Sequence, residues 1–480
     1  MTRKQEYFKI TKLARRYDKR TGKFTFNITY ETATQLTPRT LNVAETFGLG
    51  IDQTQKFPIY DNVELKISPK DIVYITGDSG SGKSVLLKAI KHDLGKEAAD
   101  MQKIKPNPNK PIIDTIGKNF TEALELLSKA GLNDAFLFVR RFRELSDGQK
   151  YRYRIAKLME SRKQWWIADE FCSVLDRDTA KIVAFNLQKA ARQMGKAVVV
   201  ATTHGDLFED LRPSVHVHKR FGKEISVKYY VNEAAGECSL MREMRVEEGT
   251  FADYKCLSGF HYRSGRCPPP RKVFVLRRGG ELCGVIVYSY ASPLAFGRSK
   301  VWKGSFGDLQ RDFSVVSRVV VHPKYRSIGL GVRLVRETLA LAGTRFVELV
   351  AVMARYNPFA ERAGMRRVAV QLPCKQALRV VEVLERVGFC RDLLGCENYL
   401  RGRLACLSEK EIGEIKDAFV GNVHPRFVRC FGGGSVFGDK KAYVEGVRRA
   451  GVEKLVKLIR VCGVLLQVKV YLFWDKFGEL

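Results

Sequence analysis

Apolar residues fall in short runs separated by helix-spaced stretches. Asp71-Ile-Val-Tyr-Ile-Thr76, Trp165-Trp-Ile-Ala168 and Ala197-Val-Val-Val-Ala201 each read as a short buried strand. Val85–Asp93 and Phe120–Ala130 repeat their apolar positions with helical spacing. Strand and helix in alternation predict an α/β domain with a mainly parallel sheet over residues 46–222. Before it, residues 1–45 form a basic N-terminal segment, with Lys12-Leu-Ala-Arg-Arg16 and Lys19-Arg20 preceding an alternating stretch, Phe24-Thr-Phe-Asn-Ile-Thr-Tyr30. That segment reads equally as a nucleic-acid arm or a solvated edge.

A second α/β domain is expected over 225–372. Lys272-Val-Phe-Val-Leu276 and Cys283-Gly-Val-Ile-Val-Tyr288 flank Gly279-Gly280, the pattern of a β-hairpin. Ser314–Val321 and Phe346–Val352 read as strands, with a glycine-rich turn and a helix to about Ala342 between them. Arg266-Cys-Pro-Pro-Pro270 reads as a stiff loop. Residues 373–480 read as a mostly helical extension broken at Gly432-Gly-Gly434.

Charge adds a partner class. Lys and Arg number 83 against 52 Asp and Glu, a net +31. Such a field concentrates polyanions, nucleic acid first, since each neutralised phosphate releases counterions. The 11 cysteines contain no C-x-x-C pair, and the His residues are scattered, which argues against a zinc site. Without a secretory signal they read as reduced, mostly buried side chains of a cytoplasmic protein. No apolar run has membrane-spanning length, which excludes a transporter that carries its own membrane segment.

Gly77-Asp78-Ser79-Gly80-Ser81-Gly82-Lys83-Ser84 follows a strand and opens a helix. Backbone N–H groups in such a loop wrap phosphates, and the helix N-terminus adds its dipole. Lys83 is placed to reach the β- and γ-phosphates of ATP, and Ser84 to bind Mg²⁺. The strand Trp165–Ala168 ends in Asp169 and Glu170. The first acid suits Mg²⁺ coordination, and the second suits the general base for the attacking water.

Between these motifs, Leu145-Ser146-Asp147-Gly148-Gln149 resembles the signature of the ABC ATPases. Ser173-Val-Leu-Asp176 resembles their D-loop, and His204 their switch histidine. The resemblance covers about residues 46–210. It implies an ATP-dependent homodimer in which each ATP is held between the phosphate loop of one copy and Ser146, Gly148 and Gln149 of the other. Asp147 departs from the family's glycine. The glutamine of the Q-loop finds no good position, Gln102 being a poor fit. For the aromatic that stacks on adenine, Phe47 is preferred, with Phe57 and Tyr60 as alternatives.

In the second half, Val319-Val-Val321-His322-Pro-Lys-Tyr-Arg326-Ser-Ile-Gly329-Leu-Gly331 resembles motif A of the GNAT acetyltransferases. Asn357-Pro-Phe-Ala-Glu-Arg-Ala-Gly364-Met365 resembles their motif B, so the likeness spans about 235–370. It implies acetyl-CoA held by Val319, Val321, Arg326, Gly329, Gly331 and Asn357, with the strand Phe346–Val352 splaying to admit the pantetheine arm. The family's usual acid, a Tyr, aligns with Ala360. Tyr356 is the substitute, with Tyr288 and His261-Tyr262 as weaker candidates. His322 reads as a base or as the residue that shapes the turn before Pro323. These readings favour acetyl transfer onto nucleic acid, structured RNA such as tRNA ahead of DNA, or onto a protein bound to it. The competing reading is an ATP-driven nucleic-acid clamp with a non-catalytic acyl-CoA-binding domain.

Overall fold

Alternation along the short strands sends successive side chains to opposite faces of one sheet. Ile72, Tyr74, Trp166, Ala168, Val198 and Val200 join one apolar core. Val73, Ile75, Trp165, Ile167, Ala197, Val199 and Ala201 join another. A sheet covered on both faces is the expected setting for parallel strands. The protein is seen in a computed structural model that describes residues 8–32, 36–50, 55–261, 267–431 and 439–478. It has two compact units, one of Met1–Arg266, Val273–Ile286 and Val319–Leu334, the other of Cys267–Lys272, Val287–Arg318 and Val335–Leu480.

The first unit begins with β1 (Phe8–Asp18) and β2 (Lys23–Thr32), an antiparallel hairpin. After α1 (Pro38–Phe47), β3 (Gln55–Lys66) pairs with β2. There follow β4 (Ile72–Gly77), α2 (Lys83–Leu94), β5 (Ala98–Asp100), α3 (Phe120–Lys129), α4 (Ala135–Phe138), α5 (Asp147–Glu160), β6 (Trp165–Ala168), α6 (Arg177–Gln193), β7 (Ala197–Ala201), α7 (Phe208–Leu211), β8 (Val215–Lys219) and β9 (Ile225–Tyr229). Their sheet has the order β5-β6-β7-β4-β8-β9, parallel throughout except for the β8–β9 pair. The C-terminal ends of the parallel strands therefore open on one edge, where ligands of such sheets bind.

The separate basic segment expected over 1–45 does not hold for its described strands. Phe24, Phe26 and Ile28 of β2 share a core with Val73, Leu86 and Ile90, so the hairpin belongs to the ATPase-like domain. The expected boundary at 225 is also displaced, because β9 pairs along β8 from Val215↔Tyr229 to Lys219↔Ile225.

The chain continues through β10 (Met244–Glu248), α8 (Phe251–Leu257), β11 (Pro270–Arg278), β12 (Glu281–Tyr290), α9 (Phe306–Asp312), β13 (Phe313–Val321), α10 (Leu330–Thr338), β14 (Phe346–Ala351), α11 (Phe359–Arg362) and β15 (Arg366–Gln371). The hairpin expected around Gly279-Gly280 is β11–β12, and Gly279 takes φ +57° at its turn. Strands β11, β12 and β13 each run from one unit into the other. The first unit orders its part of the sheet β10-β11-β12-β13, and the second β12-β13-β14-β16-β15.

The remaining helices of the second unit are α12 (Lys375–Arg386), α13 (Glu397–Ala405), α14 (Glu409–Gly421), α15 (Pro425–Val428), α16 (Lys440–Arg448) and α17 (Val452–Leu465). Ala377, Val380, Val381 and Leu384, one stripe of α12, meet Ile415 and Phe419 of α14 and Ile459 of α17 in one core. Residues 373–480 are mostly helical, as expected, with one strand among those described. That strand, β16 (Lys469–Asp475), enters the sheet between β14 and β15, antiparallel to both. The break expected at Gly432–Gly434 lies outside the described residues.

Among the described residues no helix is long and apolar enough to cross a membrane. All 11 cysteines are free. Only five are buried, and Cys256, Cys390, Cys396 and Cys406 are exposed, against the expectation of mostly buried thiols.

Candidate functional site

The phosphate loop is shaped by glycines that no other residue replaces without cost. Gly77, Gly80 and Gly82 have φ of +140°, +78° and +103°. A Cβ on Gly77 would meet the Lys219 carbonyl oxygen at 1.8 Å, so strand and loop touch through bare backbone. Gly82 caps α2 without a side-chain hydrogen bond, which leaves the helix N–H groups for a ligand. Lys83 folds over the loop, its Nζ donating to the carbonyls of Gly77 (2.8 Å) and Asp78 (2.5 Å). Burial lowers its pKa, while the charges of Asp78 and Asp169 pull it upward. The Ser81 Oγ is buried without a hydrogen-bond partner. An orphaned hydroxyl, an uncapped helix start and a cation held over the loop together fit a bound triphosphate. Half-buried Ser84 stands one residue into α2.

Of the adenine-stacking candidates, Phe47 ends α1 and is 73% exposed, and Phe57 is also exposed. Tyr60 is fully buried and donates to the Gly82 carbonyl at 3.0 Å, with the Lys219 ammonium over its ring, so it supports the loop and leaves no open face for a base. Sequence reading missed Phe221, an exposed ring whose Cε1 lies 3.7 Å from where a Gly80 Cβ would sit. The turn between β8 and β9 puts it there, and no local pattern announces that.

Asp169 and Glu170 follow β6 directly. Glu170 takes φ +51° and Cys172 φ +59°, rare for residues with a Cβ. Such strain persists where the surroundings fix it. Here the Phe171 N–H donates to the Ala201 carbonyl (2.7 Å) and the Cys172 N–H to the Tyr151 hydroxyl (2.7 Å). Tyr151 lies on α5, so the helix opened by the Leu145–Gln149 motif also braces the acid pair. In that motif Ser146 and Gln149 form a capping box: the Gln149 N–H donates to Ser146 Oγ, and the Ser146 N–H to Gln149 Oε1 at 3.0 Å. Gly148 sits between them, and Asp147 points outward with Lys150 at 3.5 Å.

His204 follows β7, and its carbonyl accepts from the Tyr74 hydroxyl of the neighbouring β4. Gln102, poorly placed by sequence, lies two residues beyond β5, the parallel neighbour of β6. Asp176 caps α6 through the Thr179 N–H at 3.0 Å. The phosphate loop, the acid pair and His204 thus follow the C-terminal ends of the neighbouring parallel strands β4, β6 and β7.

The segment Val319–Gly331 belongs to the first unit and Asn357–Met365 to the second. In the first, β13 ends at Val319–Val321, and His322 caps the turn at Pro323, its Nδ1 accepting from the Lys324 N–H at 3.3 Å. That is the turn-shaping role. Burial lowers the His322 pKa. Gly329 is exposed with φ +98°, directly before α10, and Gly331 lies in the first turn of that helix. Exposed backbone at a helix start suits a pyrophosphate. The Arg326 guanidinium is spent on protein carbonyls: Val321 (2.9 Å), Asn133 (2.5 Å) and Phe260 (3.2 Å).

In the second unit, β13 and β14 pair in parallel only from Phe313↔Phe346 to Val315↔Glu348. The pairing then stops, the splay that the resemblance implied. Ala360 is fully buried in α11 and carries no hydroxyl, so this position supplies no acid. Tyr288 is removed as an acid: it is fully buried, its hydroxyl bonded to Thr338 at 2.8 Å, and burial raises its pKa. Tyr356 is exposed beside Asn357, whose N–H donates to the Met353 carbonyl at 2.9 Å. Tyr262 lies outside the described residues.

Two family models match the chain: "ABC transporter" over residues 60–117 and "Acetyltransferase (GNAT) family" over 238–365. A spermidine/putrescine import ATP-binding protein of Borreliella afzelii is 26% identical over 30% of this chain, and the chain spans only 50% of its length. An ABC transporter ATP-binding protein of Methanocaldococcus jannaschii is 24% identical over 48% of this chain and 91% of its own. A dimeric ATP-binding cassette solved with ADP and phosphate is 21% identical, covering 36% of this chain and 92% of that one, with a TM-score of 0.30.

Proposed function

Because this chain joins an ABC-type ATPase domain to a GNAT acetyltransferase domain, we propose that it binds and hydrolyses ATP and couples this to acetyl transfer from acetyl-CoA onto nucleic acid, structured RNA such as tRNA ahead of DNA, or onto a protein bound to it. The ABC domain implies ATP and Mg²⁺, and the GNAT domain implies acetyl-CoA. Lys83, Ser84, Asp169 and the loop amides hold the nucleotide and its metal. Glu170 orients the attacking water, and two copies close over ATP. The ATPase domain runs to Tyr229, where β9 ends. A cytoplasmic setting goes with this reading.

Acetyl-CoA supplies the acetyl group as a thioester: the acceptor nitrogen gains the carbon, the C–S bond breaks, and the proton lost by nitrogen ends on the thiol. Tyr356 is assigned as the proton donor. Exposing a buried amine of folded RNA costs a few kcal/mol. ATP-driven closure is assigned that work.

The observation that carries the nucleic-acid reading is a basic face on the ATPase domain. The Pro111↔Arg141 bridge and the Ile112 N–H to Arg140 carbonyl bond (2.9 Å) set segment 103–112 beside segment 140–143. Lys103, Lys105, Lys110 and Arg140 form no ion pair with a carboxylate among the described residues. Phe136 and Val139, 65% and 68% exposed, come just before Arg140 in the chain. Cations for the backbone and an aromatic face for a base make up the usual platform for unpaired strands.

Binding of tRNA to the full chain is expected to weaken about 10²-fold between 50 and 200 mM salt if these four cations each neutralise a phosphate. Replacing all four by Ala is expected to flatten that slope in a filter-binding titration. An unchanged slope would remove this face from the interface. The enclosed Ala360 favours a second reading, a nucleic-acid clamp whose GNAT domain binds acyl-CoA without catalysis.

A further inference from the structure

Three consecutive residues at the start of α6 face three different duties, all within the first unit. Asp176 ends the segment that resembles the D-loop and caps the helix. Arg177 Nε donates to Asp206 Oδ2 at 2.9 Å, which ties the helix to the loop of His204. Asp178 holds the acyl-CoA turn: its Oδ2 accepts from Lys324 Nζ at 2.7 Å and Arg278 Nη1 at 2.8 Å. The Tyr325 hydroxyl, next along the turn, donates to Glu281 at 2.6 Å. Two turns further along α6, nearly buried Asn186 donates from Nδ2 to Ser327 Oγ at 2.9 Å. Ser327 takes φ +74°, a conformation that a residue with a Cβ keeps only when held. Arg326, between these two contacts, reaches the Asn133 carbonyl beside α4. The Tyr325 hydroxyl also lies 3.4 Å from Asp178 Oδ2, so every residue from Lys324 to Ser327 is bonded to the ATPase fold within the first unit.

We propose that α6 is the element through which ATP controls acyl-CoA binding, with Asp178 and Asn186 as positioning residues for the turn that receives the pyrophosphate. This rests on the reading of the two sites given above. Closure of two copies over ATP engages the D-loop and fixes the start of α6. The turn bonded to α6 is then ordered before acyl-CoA arrives, so the protein loses less freedom when acyl-CoA binds, and acyl-CoA binds more tightly. Coupling of this kind is reciprocal: acyl-CoA strengthens ATP binding by the same factor.

The test is calorimetric titration of acetyl-CoA into the full chain, with and without ATP and Mg²⁺, using Glu170→Gln protein so that ATP persists. ATP is expected to tighten acetyl-CoA binding about fivefold or more. In the same background Asn186→Ala is expected to leave ATP affinity unchanged and to bring the ATP-dependent factor close to one. Asp178→Asn should do the same, and Asp178→Glu should restore part of the coupling. A purely structural role would lower both affinities together and leave the factor intact. Acetyl-CoA affinity that is equal with and without ATP overturns the inference and leaves both sites standing. An ATP effect that survives both Asn186→Ala and Asp178→Asn overturns its assignment to α6. Absence of acetyl-CoA binding under every condition removes the acyl-CoA site itself, and the inference with it.

Discussion

Glu170→Gln is expected to lower ATP turnover about 10²–10⁴-fold, the range for losing a positioned general base. ATP binding is expected to survive, because Lys83, the uncapped start of α2 and Asp169 are untouched. The amide is isosteric with the carboxylate, so the strained backbone at φ +51°, fixed through Phe171 and Cys172, stays in place. Bound ATP that is no longer cleaved should accumulate a dimer, visible by light scattering as a doubling of mass on adding ATP and Mg²⁺. Turnover at the wild-type rate would show that Glu170 is not the base. A strictly monomeric Glu170→Gln protein saturated with ATP would contradict the two-copy arrangement.

Gly329→Glu should remove acetyl-CoA binding while sparing the ATPase. Two penalties act together. The backbone at φ +98° disfavours any side chain. A carboxylate is also brought to the turn assigned to pyrophosphate. Two like charges about 4 Å apart cost about 4 kcal/mol at an effective dielectric of 20. The turn is exposed and the side chain can swing outward, since nothing lies within 4 Å of a Cβ at Gly329. A loss of about 10²-fold in affinity is therefore the expectation. Gly329→Ala, with the strain but no charge, should lose less. Equal affinity in wild type and Gly329→Glu would place the pyrophosphate elsewhere.

Much of this was legible in the sequence because it depends on local backbone. Gly77, Gly80, Gly82 and Gly329 stand where φ must be positive, and such positions leave a glycine in the sequence. Strand-end acids and the turn at His322-Pro323 are equally local. The segment Leu145–Gln149 was read only as a signature, although its Ser-x-x-Gln pattern is also that of the capping box the structure shows. The box gives two signature residues a folding role beside any role toward ATP.

What sequence did not show depends on contacts between distant segments. The β1–β2 hairpin read equally as a nucleic-acid arm or a solvated edge because Lys and Arg cluster in its first half, yet Phe24, Phe26 and Ile28 join the ATPase core. The strand β16 was absorbed into a mostly helical region, although Val470-Tyr-Leu-Phe-Trp474 is a run rich in β-favouring residues, because its partners β14 and β15 lie about 100 residues earlier in the chain. Arg326 was read as a cofactor ligand from its place in the motif, whereas its guanidinium bonds the nearby Val321 carbonyl and two carbonyls from distant segments, Asn133 and Phe260. Asp178 and Asn186 carry no motif at all.

The most direct test of the central claim is transfer of labelled acetyl groups from acetyl-CoA into separate pools of tRNA, DNA and protein, with and without ATP. The proposed function predicts label in the tRNA pool, increased by ATP and lost in Gly329→Glu. No label in any pool, alongside an ATPase that nucleic acid stimulates, would contradict acetyl transfer and leave the clamp.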